Sequence, residues 1–159
     1  MGMTANLVRV SKEKLAEMQA DPSLVGALVM DVIQGRVDAA SRLDLYKSWN
    51  ALDVLLNDGE CGAEADAVMG GTAIGEDLGF GPARMLDDHE VTKVSDALAN
   101  ITRSDFEKRF DVEKMQDIYA FHAEDAEDEW PVLSELFDEM KTFYATAAEQ
   151  SCGMILYLV

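Results

Sequence analysis

The side chains best placed to do chemistry are Asp44, Lys47 and Trp49 in the stretch LDLYKSWNALDVLL, and Arg84 in the tight segment Gly81-Pro82-Ala83-Arg84-Met85-Leu86. An Asp and a Lys three positions apart can act as an acid–base pair. An Arg in extended backbone can grip a carboxylate or phosphate with two parallel hydrogen bonds. A Trp offers a large apolar face with one polar N–H. Read as a site, Asp44, Lys47, Trp49, Gly81, Pro82 and Arg84 form a ligand-binding set around the glycine-rich stretch between them. Each also has a structural reading. Asp44 and Lys47 are neighbours on a helix surface, a contact worth a few tenths of a kcal/mol. Arg84 is an ion-pair partner for one of the 31 acids, and Trp49 is a core anchor.

More specific chemistries find no support. His89 and His122 are the only two histidines, and neither has a second His at a ligand spacing, so neither a zinc site nor a Ser-His-Asp triad is assigned. Gly70 and Gly75 have the spacing of a phosphate loop, but Glu76 and Asp77 stand where Lys and Ser or Thr are required. The acids Glu124, Asp125, Glu127, Asp128 and Glu129 lack the residue order of a calcium loop. They read as a solvated loop, with loose cation binding as the alternative. No catalytic residue, metal or cofactor is therefore expected, and an enzyme is the less favoured reading.

The elements that must position these residues follow from pattern. Ala5–Val10 reads as a short edge strand. Ser11 caps a helix carrying Leu15 and Met18, and Asp21-Pro22 starts a second helix that ends at Gly35. That second helix has Leu24, Leu28, Val29, Val32 and Ile33 as its apolar set. Leu45, Trp49, Leu52 and Leu56 follow one helical stripe, so Leu43–Leu56 is read as a central helix that fails at Asn57-Asp58-Gly59. Gly59 to Gly81 holds seven of the 11 glycines and is read as loop, apart from a short helix over Ala63–Met69. Gly81–Leu86 is a middle strand. Asp87 and Glu90 form a capping box for a helix with Val91, Val94, Leu98 and Ile101 buried. Ser104 is expected to cap a short helix with Phe106 and Phe110, and Asp111 a further turn with Val112 and Met115. Trp130-Pro131 opens the last helix, whose stripe runs Leu133, Leu136, Phe137, Met140, Phe143, Tyr144 and Ala147. The closing MILYLV is apolar throughout and reads as a strand covered on both faces.

Composition bounds the function. The 159 residues carry 13 Lys and Arg against 31 Asp and Glu, a formal charge of −18. Such a chain repels nucleic-acid phosphate and anionic membrane, and attracts basic proteins or metal ions. At 48% hydrophobic it can bury a real core. No run approaches a membrane span, and neither a secretion signal nor a myristoylation signal is complete. Cys61 and Cys152 fit free thiols in a reducing cytoplasm.

Four pieces in order (the opening MGM, LDLYKSWNALDVLL, the pair VMGG…GFGPARMLDDHEVTKVSDAL, and FYATAAEQSCGMILYLV) resemble the YfbM-like family of bacterial proteins, a conserved domain of unknown function. The resemblance covers nearly the full chain. It implies a compact cytosolic α+β domain of bacterial origin and no established activity. The family pattern carries an Asp before the Lys and often a His after the Trp. Here Tyr46 directly precedes Lys47, Asp44 is kept, and Asp53 takes the place of the His, which weakens an enzyme reading. Lys47, Trp49, Gly81, Pro82, Ala83 and Arg84 match.

The expectation is a single α+β domain over residues 1–159, with a small, mainly antiparallel sheet of N-terminal, middle and C-terminal strands covered by several helices. The C-terminal strand is central. The favoured function is a non-catalytic binding protein that captures a basic partner, as an immunity protein does. The alternative is a small-ligand binder or enzyme in which Arg84, Lys47, Asp44 and Trp49 converge on one pocket.

Overall fold

A computed structural model describes residues 2–58 and 61–159. Gly59, the last residue of the expected helix stop, lies outside them. The described residues form a five-stranded antiparallel sheet with helices on both faces, the α+β class expected. The strands are β1 (Ala5–Val10), β2 (Arg42–Tyr46), β3 (Thr72–Asp77), β4 (Pro82–Leu86) and β5 (Gly153–Leu158). Their order is β2-β1-β5-β4-β3, and every pairing is antiparallel.

The closing apolar strand is central. All six residues of β5 are buried, because each face of the sheet carries its own core. Leu7, Leu86, Met154 and Leu156 point to one side, Val8, Ile155 and Tyr157 to the other. The first side is covered by α3 (Trp49–Leu56), α4 (Asp88–Ala99) and α6 (Ala126–Glu149). The second is covered by α1 (Lys12–Ala20) and α2 (Ser23–Ile33). Ser11 caps α1, and the Asp87–Glu90 capping box starts α4 with both reciprocal bonds formed. The seven-residue stripe of α6 is buried as read.

Several expectations are corrected. Leu43–Leu56 is not one helix. Its first part is the strand β2, in which Leu43 pairs with Leu7, and α3 begins only at Trp49. Leu45, Trp49, Leu52 and Leu56 are all buried in one core. A strand residue and a helix face can bury side chains in the same place, so the 3.6-residue spacing misassigned Leu45. Tyr46 marks the break, with φ of 51°. β1 is not an edge strand, since β2 covers it. β3 emerges from the stretch read as loop, and the Ala63–Met69 helix shrinks to a 3-10 turn over Ala63–Asp66. Val25, Val29 and Val32 are the buried face of α2, while Ile33 is exposed.

Toward the C-terminal half, Thr102 rather than Ser104 caps α5 (Arg103–Arg109), in a second capping box with Asp105. Phe106 is buried and Phe110 is only partly so. α6 starts at Ala126, ahead of Trp130-Pro131, and Pro131 lies inside it. The acidic run is therefore not all loop. Glu127, Asp128 and Glu129 form the first turn of α6, where negative charge is stabilised by the unsatisfied N–H groups.

Candidate functional site

Arg84 lies on β4, half-buried, and is held by backbone rather than by an acid. Its Nε donates to the Gly70 carbonyl at 2.9 Å and its Nη2 to the Gly71 carbonyl at 2.6 Å. The local sequence dictates this. Gly71 has φ of 76°, and a Cβ there would collide with the Met85 carbonyl, so only glycine lets the turn before β3 lie against β4. The guanidinium then uses two of its donors to close that turn. Gly81 and Pro82 sit in the β3–β4 hairpin. Asp77 Oδ1 accepts from the N–H of Gly79 and of Gly81, at 2.7 and 3.1 Å.

Asp44, Lys47 and Trp49 lie at the other end of the sheet. Asp44 pairs with Asn6, which pairs with Tyr157, so the Asp44 side chain is on the α1–α2 face. Arg84 pairs with Leu156, which pairs with Leu7, so it is on the α6 face. Three strand spacings, roughly 14 Å, and the thickness of the sheet separate them. The convergence of Arg84 with Asp44 does not occur. Nor do Asp44 and Lys47 form a helical pair, because β2 and its turn carry them. Asp44 Oδ1 instead accepts the Tyr46 N–H at 2.7 Å, fixing the turn in which Tyr46 is strained. Lys47 is exposed. Trp49 is buried and its Nε1 donates to the Met3 carbonyl at 3.3 Å, while Tyr119 packs beside it and its hydroxyl accepts the Met3 N–H at 2.8 Å. That network pins the N-terminal segment to α3.

Sequence reasoning missed a groove between β2 and α6. It comprises two adjoining depressions of about 460 and 500 Å³ that share Ala39, Arg42, Leu43 and Glu139. The first is floored by Leu43 and Leu136 and walled by Glu135 and Glu139, with Tyr46 and Val132 at its mouth. Tyr46 is 61% and Val132 47% exposed. The second carries Arg9 opposite Asp138 and Glu139, with Phe143 in its floor. The only signal in the sequence was Glu135 and Glu139, four apart on α6 and therefore on one helical face. It could not be used without knowing that β2 lies opposite.

On the far face of the sheet, the Tyr157 hydroxyl and Arg42 Nε are buried without a hydrogen-bond partner among the described residues. Burial pushes the Tyr157 phenol up to about 12, with Arg42 opposing the rise and Asp44 adding to it. Asp53, on α3, is also pushed up by burial, and the hydrogen bond from Asn57 opposes this. Among the described residues no group of three or more His, Cys, Asp or Glu side chains could hold a metal ion, and no helix is long and apolar enough to cross a membrane.

A family model described as "Domain of unknown function (DUF1877)" matches residues 1–157. The chain belongs to that family. Among solved structures, this DUF1877 chain is similar to YfbM from Escherichia coli, described as a protein of unknown function, at 18% identity and a TM-score of 0.71. The likeness covers 98% of this chain and 99% of that one, and at this identity it shows the fold. The YfbM-like resemblance read from the four sequence pieces is thus shown, in family and in fold. No curated protein matches the chain.

Proposed function

We propose that this DUF1877 chain is a binding protein whose partner is basic. The observation that supports this is uncompensated negative charge. The chain carries 31 acids, and among the described residues five ion pairs engage a few of them. The remaining carboxylates set up a field that steers a cationic partner and repels nucleic acid. The cytoplasm, where Cys61 and Cys152 stay reduced, is the compartment that fits this reading.

Affinity capture tests it. Immobilised protein is exposed to a lysate of the source cells at about 0.05 M NaCl and eluted at about 0.5 M, where exposed charges are screened. The expected result is a retained protein of strongly basic composition that the salt releases. Retention of nothing, or of neutral and acidic proteins that salt does not release, overturns the reading.

A further inference from the structure

We infer that the groove between β2 and α6 is the docking surface, and that it seats an extended basic polypeptide segment with a Lys or Arg side chain in the half beside Tyr46. The inference rests on the reading of a basic partner and adds where and how that partner binds.

Three features of the groove argue for this occupant. The first is charge. In the Tyr46 half, Glu135 and Glu139 are exposed, and neither forms an ion pair among the described residues. Arg42 and Asp44 also border this half, but their register places both side chains on the opposite face of the sheet. The charge that meets a ligand there is that of the two glutamates. The second feature is the form of the floor. Leu43 and Leu136 give an apolar bed for the methylenes of a Lys or Arg, whose charged head then reaches the carboxylates. Tyr46 adds an aromatic face over which a cation is attracted.

The third feature is length. From Val132 to Thr146 the groove follows α6 for roughly 21 Å. That is the span of about six extended residues. The far half already holds a cation of its own, since Arg9 lines it with Asp138 and Glu139 and Asp138 is paired with Arg103, so it selects less strongly for a second cation.

The segment binds through side chains and not as a sixth strand. The Arg42 N–H is donated to the Ala39 carbonyl and the Tyr46 N–H to Asp44 Oδ1. With both ends of β2 engaged in this way, its edge does not offer the row of free groups that strand addition needs.

The test uses a fluorescein-labelled hexapeptide of alternating Lys and Val, the same peptide with Glu for Lys, and the full chain in three forms. E135K/E139K reverses the groove wall. E17K/E76K makes the same change in net charge on α1 and β3, away from the groove. Y46A removes the aromatic face. Melting curves check that each variant is folded. The expected outcome is that the wild type binds the Lys peptide and not the Glu peptide. E135K/E139K should weaken binding about tenfold or more and Y46A several-fold, while E17K/E76K changes it by less than about twofold. Equal weakening by the two charge reversals overturns the site, because binding then follows net charge alone. Failure of the wild type to prefer the Lys peptide also overturns it. The captured partner separates the two levels. If E135K/E139K still captures the basic protein, the groove is wrong while the basic-partner reading stands. If the wild type captures none, that reading itself fails.

Discussion

Arg84 illustrates how a residue suited to ligand binding can be consumed by the fold. Two of its donors close the turn before β3, so its removal is a stability experiment. Arg84→Met keeps the length and deletes both hydrogen bonds, leaving the Gly70 and Gly71 carbonyls without that partner. We expect a loss of about 1–3 kcal/mol in urea or guanidinium unfolding. A change below a few tenths would show that the guanidinium is free for another task. Asp53 gives a prediction with a pH sign. Burial raises its carboxyl above the ordinary 3.8, so the folded state favours the protonated form. Its contribution to stability is full below the unfolded value and is lost as pH rises through the folded one. Asp53→Asn fixes a neutral group. The variant should gain stability over the wild type at pH 7, and the gain should vanish as pH falls toward 3. A gain independent of pH would assign the effect to something other than the buried charge.

Elements took their ends from local chemistry that was partly visible. The Asp87–Glu90 box was legible because both members sit at fixed offsets before an apolar stripe. Thr102 and Asp105 carry the same signature, with a shorter acid, but Ser104 two positions on offers an equivalent hydroxyl, so pattern alone points to Ser104 as readily as to Thr102. The end of α6 is a Schellman motif, in which Ser151 N–H donates to the Ala148 carbonyl and Cys152 N–H to that of Ala147, at 3.1 and 2.9 Å. This forces Ser151 to a φ of 54°. Ser151→Gly should therefore raise stability by about 0.5–1 kcal/mol, seen as a higher Tm. A lower Tm would mean that the Ser side chain does something there beyond occupying the left-handed position.

At the scale of the molecule, the −18 charge repels itself in the compact state, and it is the property on which the proposal of a basic partner rests. Salt should act on the two in opposite directions. Raising NaCl from about 0.01 to about 0.5 M screens self-repulsion and should lift Tm by a few degrees, while weakening any basic ligand. A Tm that is flat or falls with salt would show that the carboxylates are already compensated in the fold. The groove belongs to this scale too. One wall comes from residues 39–46 and the other from residues 132–146, so no window of sequence contains it.

What the sequence determined by itself is whatever depends on neighbours along the chain. That covers the helix stripes of α4 and α6, the capping boxes, the uniformly apolar β5 that had to be covered on both faces, and the net charge. The four ordered pieces also carried the family. Tertiary structure decided the rest. Leu45 lies at helical spacing from Trp49 yet belongs to a strand, because burial rewards a side chain for reaching the core and not for the route its backbone takes. β3 became a strand because β4 offered it a partner. Arg84 and Asp44 were separated by the alternation of faces along the strands, which depends on which strands pair. And the pairing of β2 with β1 set an edge against α6, which made a recess out of Glu135, Glu139, Leu43 and Tyr46.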